Sequence, residues 1–251
     1  MTANKTHLPE KIRKPGKGRF AASVATRVSG AEGRSPRVML ALPGAHRHPF
    51  ENGTIADMAR RAATLGRALS PGTTVQPWIY TSRTHRLPEL DPYHAAQWIA
   101  DWAVLPPESL LTRDAAPASG NLLTRHAERY GLFNGQNAAE AVNAITASVP
   151  EADGPVLVLF YLWALGPERT ALADQLEAAS GANVFWQFAG NPNLESVLSN
   201  LDQLRSEAPH ITNVNLYRGW DPIEMTPEYL FFRGVLKPFV RWSRTRPQRK
   251  N

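Results

Sequence analysis

Residues 155–162 read PVLVLFYL, an unbroken apolar run that begins just after Gly154. A stretch of this length and character fits a central strand of a parallel sheet, covered on both faces. The rest of the chain supplies the companions such a strand needs. Short apolar segments at 38–42 (VMLAL), 74–80 (TVQPWIY), 183–189 (NVFWQFA) and 211–216 (ITNVNL) alternate with stretches of helical period. Ile55, Met58, Ala62, Leu65 and Leu69 share one face of a helix over 52–69, and Trp98, Ile99 and Trp102 mark a helix over 92–103. Residues 134–149 form an alanine-rich helix, and 167–179 form another that opens on Pro167 with Gly181 beyond its end. Leu194, Val197, Leu198, Leu201 and Leu204 mark a further face, and a last helix over 226–242 buries Phe232, Leu236 and Phe239. Strands alternating with helices require βαβ crossovers. The expectation is an α/β fold: a doubly wound, mostly parallel sheet with helices on both faces.

Several local features carry expectations of their own. Thr54 with Asp57 three residues on resembles a capping box, with Arg60, Arg61 and Arg67 on the solvent side. Pro77 cannot donate a ladder hydrogen bond, which suggests an edge strand or a bulge. Pro238 is expected to kink or end the last helix. The seven tryptophans fall mostly in core positions, where each indole N–H is expected to find a partner. Residues 105–125, without a period, form the longest connection.

The formal charge of +6 is unevenly spread. Residues 1–37 carry nine Lys or Arg against two Glu, and 237–251 carry six basic residues and no acid. The stretch between them holds 13 basic and 20 acidic residues, so an acidic body has two basic ends. This divides the chain into a disordered basic arm (1–37), one domain (38–243) and a basic tail (244–251). The ends are solubilising, or they attract nucleic acid, an anionic membrane or an acidic partner, and a nucleic-acid-associated protein is the alternative functional reading. There is no cysteine, which excludes disulfides, zinc–thiolate sites, iron–sulfur clusters and cysteine nucleophiles. No apolar run approaches the roughly 20 residues that span a bilayer, and the basic N-terminus lacks a signal peptide's apolar core. A cytoplasmic protein is expected.

Catalytic motifs are missing: no Gly-x-Ser-x-Gly elbow, no P-loop, and no Gly-x-Gly-x-x-Gly after a strand. Asp91, Asp101, Asp114 and Asp153 show no paired partner. A hydrolase on a doubly wound sheet would need a nucleophile or carboxylate that the sequence does not place, so no enzyme is expected.

Four segments, in order and spacing, resemble the von Willebrand factor A domain in its TerF-like, tellurium-resistance-associated branch. They are NGTIADMARRAATLGRAL (52–69), VQPWIYTSRTHRLPEL (75–90), VLVLFYLWALGPERTALADQLEAASGANVFWQFAG (156–190) and HITNVNLYRGWDPIEMTPEYLFFRGVLKPFVRW (210–242). The resemblance covers nearly all of 38–243. It implies a bacterial stress or tellurium-resistance setting and a Mg²⁺ or Mn²⁺ site at the top of the sheet. That site uses Asp-x-Ser-x-Ser after the first strand, a Thr in a later loop, and an Asp after the central strand; a hard cation needs such oxygens, with one position left for a partner's carboxylate.

This sequence departs from that pattern at all three places. After Leu42 come Pro43, Gly44, Ala45 and His46; Gln136 stands in place of the Thr, within Asn134–Asn137; and the central strand ends in Leu162-Trp163-Ala164-Leu165. A metal site of the family's kind is therefore not expected, and no cofactor is implied. His46 and His48, with His85, could offer imidazole to a transition metal, although their spacing argues for loop residues. Pro43-Gly44 before a helix could instead present backbone N–H groups to an anion. The reading that results is a non-catalytic, metal-independent interaction module with a protein partner. Its contacts are expected on loops 43–52, 81–88, 134–137 and 163–167, with His46, His48, Arg83, His85, Gln136 and Trp163 as candidates.

Overall fold

A computed structural model describes residues 16–32, 36–69, 74–105, 121–150, 154–163, 169–190, 199, 202–203, 206–217 and 227–246. The central apolar run is strand β4 (Val156–Leu162), as its composition predicts. Its side chains alternate between two cores. Leu157, Leu159 and Tyr161 face one, and Val156, Val158, Phe160 and Leu162 face the other. Around it lie β1 (Arg37–Pro43), β2 (Val75–Tyr80), β3 (Thr84–Arg86), β5 (Val184–Gly190) and β6 (Val214–Tyr217). The sheet order is β3-β2-β1-β4-β5-β6, parallel throughout except for the antiparallel edge strand β3. This is the doubly wound α/β arrangement.

Helices cover both faces. On one side pack α1 (Gly16–Ser29), α3 (Thr54–Leu69) and α4 (Ala95–Trp102), together with the final helix. On the other pack α7 (Ala138–Ala147) and α8 (Arg169–Ala178). Short helices α2 (His48–Glu51), α5 (Leu122–Arg125) and α6 (Ala127–Tyr130) lie in the connections, and the final helix is α9 (Glu228–Arg244). Residues 106–120, most of the longest connection, lie outside the described residues. So do Leu194, Val197, Leu198, Leu201 and Leu204.

Pro77 is not at an edge. β2 pairs with β1 on one side and β3 on the other, with Pro77 opposite Leu40. The Pro77 carbonyl accepts the Leu87 N–H at 3.0 Å, but Pro77 has no N–H to return. The Gln76 side chain makes up the deficit: its Nε2 donates to the Leu87 carbonyl at 2.8 Å. One buried amide thus lets proline sit inside the sheet, where an orphaned carbonyl would otherwise be costly.

Residues 16–29 overturn the expectation of a disordered arm over 1–37, while 1–15 lie outside the described residues. Helix α1 packs on α3 and α9. Gly18, Ala22 and Ala25 recur along its inner face and are buried, so two helix backbones can approach closely. Such a stripe gives a weak hydropathy signal, which hides it among Lys, Arg and Gly. Helix α9 also departs from expectation, because it runs through Pro238 to Arg244. The carbonyl that loses its donor belongs to Gly234, and a Cβ at Gly234 would lie 2.3 Å from the Tyr217 ring. Of the tail 244–251, Arg244 completes this helix and 247–251 lie outside the described residues.

Two further expectations fail in the core. Asp57 is not a capping residue and Arg60 and Arg61 are not on the wet side. Asp57 accepts from Arg60 Nη2 and from Arg61 Nε, each at 2.7 Å, and Arg60 also reaches Glu228 at the start of α9 at 2.5 Å. The Arg61 guanidinium lies 4.8 Å from the centre of the Phe231 ring. Asn52 does the capping instead, its Oδ1 accepting the Thr54 N–H at 3.0 Å. Among the tryptophans, Trp98 donates to the Pro88 carbonyl. The buried indole N–H groups of Trp78, Trp186 and Trp242 find no acceptor among the described residues.

Candidate functional site

The strand order fixes where a site can form. From β1 the chain first crosses to β2, and it later places β4 on the opposite side of β1. Loops leaving β1 and β4 therefore diverge and open a crevice at the carboxyl edge, the usual ligand position in open α/β sheets. His46 and His48 follow β1, and Trp163 follows β4. The Trp163 ring centre lies 6.3 Å from that of His46, 5.7 Å from that of His48 and 6.5 Å from that of Tyr161. Trp163 is half-buried, while His46 and His48 are exposed. Buried Pro49 and Phe50 anchor the turn, and His48 Nε2 lies 3.2 Å from Asn52 Nδ2.

The neighbouring loops are tied together by backbone. The Gly44 N–H donates to the Tyr80 carbonyl at 2.8 Å, and the Gly44 carbonyl accepts the Phe133 N–H at 2.8 Å. The Asn137 N–H donates to the Thr81 carbonyl at 2.7 Å, and the Ser82 N–H to that of Asn134 at 3.2 Å. The buried Thr81 hydroxyl donates to the Tyr130 carbonyl at 3.0 Å. Phe133 adopts a left-handed conformation with φ 66°, rare for a side chain of its size, and Arg47 lies over its ring at 5.2 Å.

Gly44 is required by close approach. An added Cβ would lie 2.7 Å from Thr81 Cγ2 and 3.0 Å from Ile79 Cγ1, both buried and rigidly held. Gly44→Ala is expected to cost about 1–3 kcal/mol through overpacking. Urea unfolding checks this, and a cost near zero would mean that the loops yield.

A second aromatic group stands further along the same edge. His85 on β3 meets Tyr130 edge-on at 5.4 Å; Trp102 stacks on His126 at 6.1 Å and meets Tyr130 at 6.0 Å. Burial, then the charges of Arg129 and Arg83, hold the His85 imidazole below its usual range, which favours the neutral form. Arg83 is exposed, and Gln136 is half-buried beside the Asn137 cap of α7. Thr84 hydrogen-bonds Glu140, whose carboxyl burial pushes up. All six candidate residues thus occupy one edge. Direct ring contacts join His46 and His48 to Trp163, and a separate group contains His85. Residues 164–167 of the fourth candidate loop lie outside the described residues. Sequence alone gives no register linking Tyr130, His126 and Phe133 to β3 or to Trp102, because the aperiodic connection 105–125 separates them from both.

The residues do not fit the hard-cation site that the resemblance implies. Among the described residues, no three His, Asp or Glu gather closely enough to share an ion. The loop after β1 offers imidazoles instead of carboxylates, β4 ends on an indole, and the Thr81 hydroxyl is committed to backbone.

Two solved structures show a distant likeness. One, a von Willebrand factor type A protein from Catenulispora acidiphila, is 14% identical with a TM-score of 0.43, covering 82% of this chain and 43% of that one. The other, the TFIIH p34 N-terminal domain, is 14% identical with a TM-score of 0.37, covering 83% of this chain and 99% of that one. The chain thus spans less than half the length of the first. No curated protein matches significantly. The family model described as the vWA found in the TerF C terminus matches residues 36–250, and the chain belongs to this TerF-like von Willebrand factor A family.

Proposed function

We propose that this domain is a non-catalytic protein-interaction module of a bacterial tellurium-resistance or stress-type system, acting in the cytoplasm without a metal ion. The observation that carries the reading is Trp163, half-buried between two exposed histidines in the switch-point crevice. An indole there offers a partner a large, rigid apolar anchor with a polar N–H, the type of residue that dominates protein interfaces. His46, His48 and Arg83 would form a polar rim, and the stitched loops beneath hold these groups in place before binding.

Co-purification with the products of neighbouring genes tests this reading. Trp163→Ala is expected to weaken the association by about thirtyfold or more, the scale of an interface hot spot, with circular dichroism unchanged. Equal association by wild type and variant would remove Trp163 from the interface. Calorimetry with Mg²⁺ and Mn²⁺ is expected to show no micromolar binding; saturable uptake lost on substituting loop 43–48 would overturn the metal-independent reading.

A further inference from the structure

Helices α1 and α9 present a face that the crevice does not use. Along α1, Phe20, Val24 and Val28 recur every four residues, with Phe20 76% and Val28 60% exposed. Along α9, Leu230 is 51% exposed and is followed by exposed Arg233, Lys237, Arg241 and Arg244. Exposed large apolar side chains are few among the described residues. Three of the four, Phe20, Val28 and Leu230, stand on these two helices; the fourth, Tyr93, has the Arg67 guanidinium over its ring at 4.0 Å. Between α1 and α9 runs a groove of about 480 Å³, with Val28 and Val240 in its lining and the four cations along it. At 1.5 Å rise per residue the cations form a row of about 16 Å. None has an ion-pair partner among the described residues.

We propose that this face docks on an anionic phospholipid surface, seating a lipid phosphate in the groove among Arg233, Lys237, Arg241 and Arg244 and placing Phe20, Val28 and Leu230 among the headgroups. Arginine offers forked donors suited to phosphate oxygens. A nucleic-acid strand would use the cations but leave the aliphatic side chains in water. A lipid interface uses both, and stable membrane anchoring characteristically takes two such signals. The charge distribution orients the docking, because residues 38–236 carry 20 acidic against 13 basic residues, Arg233 of this face among the latter, and the rest of that stretch would be repelled. No described helix is long and apolar enough to cross a membrane.

Sedimentation of the full chain with phosphatidylcholine vesicles, with and without about 30% phosphatidylglycerol, tests the proposal. Binding is expected only to the anionic vesicles. Each basic residue near such a surface raises partitioning about fivefold, so reversing Lys237 and Arg241 together to Glu should lower it by two orders of magnitude or more. Phe20→Ser with Val28→Ser, at exposed positions that leave the fold intact, should also lower binding severalfold and steepen its salt dependence. No binding to anionic vesicles would overturn the proposal. Retained binding in the Phe20/Val28 variant would overturn the insertion. A single-stranded oligonucleotide that binds more tightly than the vesicles, indifferent to those two substitutions, would assign the face to nucleic acid and overturn the lipid reading.

Discussion

Asp57→Asn is expected to lower stability by about 3–5 kcal/mol, the usual cost of removing one partner from a buried ion pair. Asp57 neutralises two guanidinium groups at once, and Arg61 is itself buried beneath the Phe231 ring. Glu228 stands close to Arg60 but 3.9 Å from Arg61 Nη1, so it replaces the Asp57 carboxylate poorly. Removing charge from both sides, with Asp57→Leu and Arg61→Met together, should cost less than the two single changes summed, because no buried charge is stranded. Urea unfolding of the four proteins gives the coupling directly; strict additivity would mean that the pair does not interact. The same group sets an acid limit. Burial pushes the Asp57 carboxyl up, but the charges and hydrogen bonds of Arg61 and Arg60 outweigh it and hold the group below the ordinary Asp range. As pH falls, the unfolded chain therefore takes up this proton first. The contribution of Asp57 is complete well above the unfolded value of about 4 and is lost as pH falls through that value toward the folded one. Unfolding measured between neutral pH and about pH 3 should show a shallower acid loss in Asp57→Asn than in the wild type.

Trp186→Ala is expected to cost about 3–5 kcal/mol, and Trp186→Phe far less, at most about 1.5 kcal/mol. Trp186 is fully buried on β5, edge-on to Phe160 at 6.1 Å, so truncation to alanine empties a space the rigid sheet cannot collapse into. Phenylalanine keeps most of that contact and removes an indole N–H that has no acceptor among the described residues. Relief of this buried donor offsets part of the lost volume. Equal losses in the two variants would show that the N–H is satisfied, by an ordered water for instance, and that its removal brings no relief.

The sheet was legible because β4 leaves little choice: seven consecutive buried positions are compatible with a central parallel strand and with few other environments. The strands around it followed from their spacing. Other features were hidden for identifiable reasons. Helix α1 buries glycine and alanine, whose value lies in letting another helix come close, and hydropathy does not register it. Arg60 and Arg61 read as solvent-facing because part of what neutralises them, Glu228, is remote in sequence. Pro77 read as an edge residue because nothing local reveals that the Gln76 amide reaches the Leu87 carbonyl. At the candidate site, His46, His48 and Trp163 could be placed at one edge from strand ends alone. The group of Tyr130, His126 and Trp102 could not, since it depends on how the chain returns to β3.

The pairing of α1 with α9 has a kinetic consequence. Gly18 faces Glu228 at the start of α9 and Gly30 faces Arg244 at its end, so the two helices run side by side in the same direction. Helix α1 ends at Ser29 and α9 starts at Glu228, so one is synthesised long before the other. Through all the time between, α3 is the main docking surface of α1 among the described residues, and the inner stripe of small residues on α1 is too weakly apolar to draw it into collapse. Closing so long a loop is entropically costly and comes late. Formation of this contact should be the last step of folding, so a ribosome stalled before α9 would hold a chain whose sheet can assemble but whose α1 rests on α3 alone.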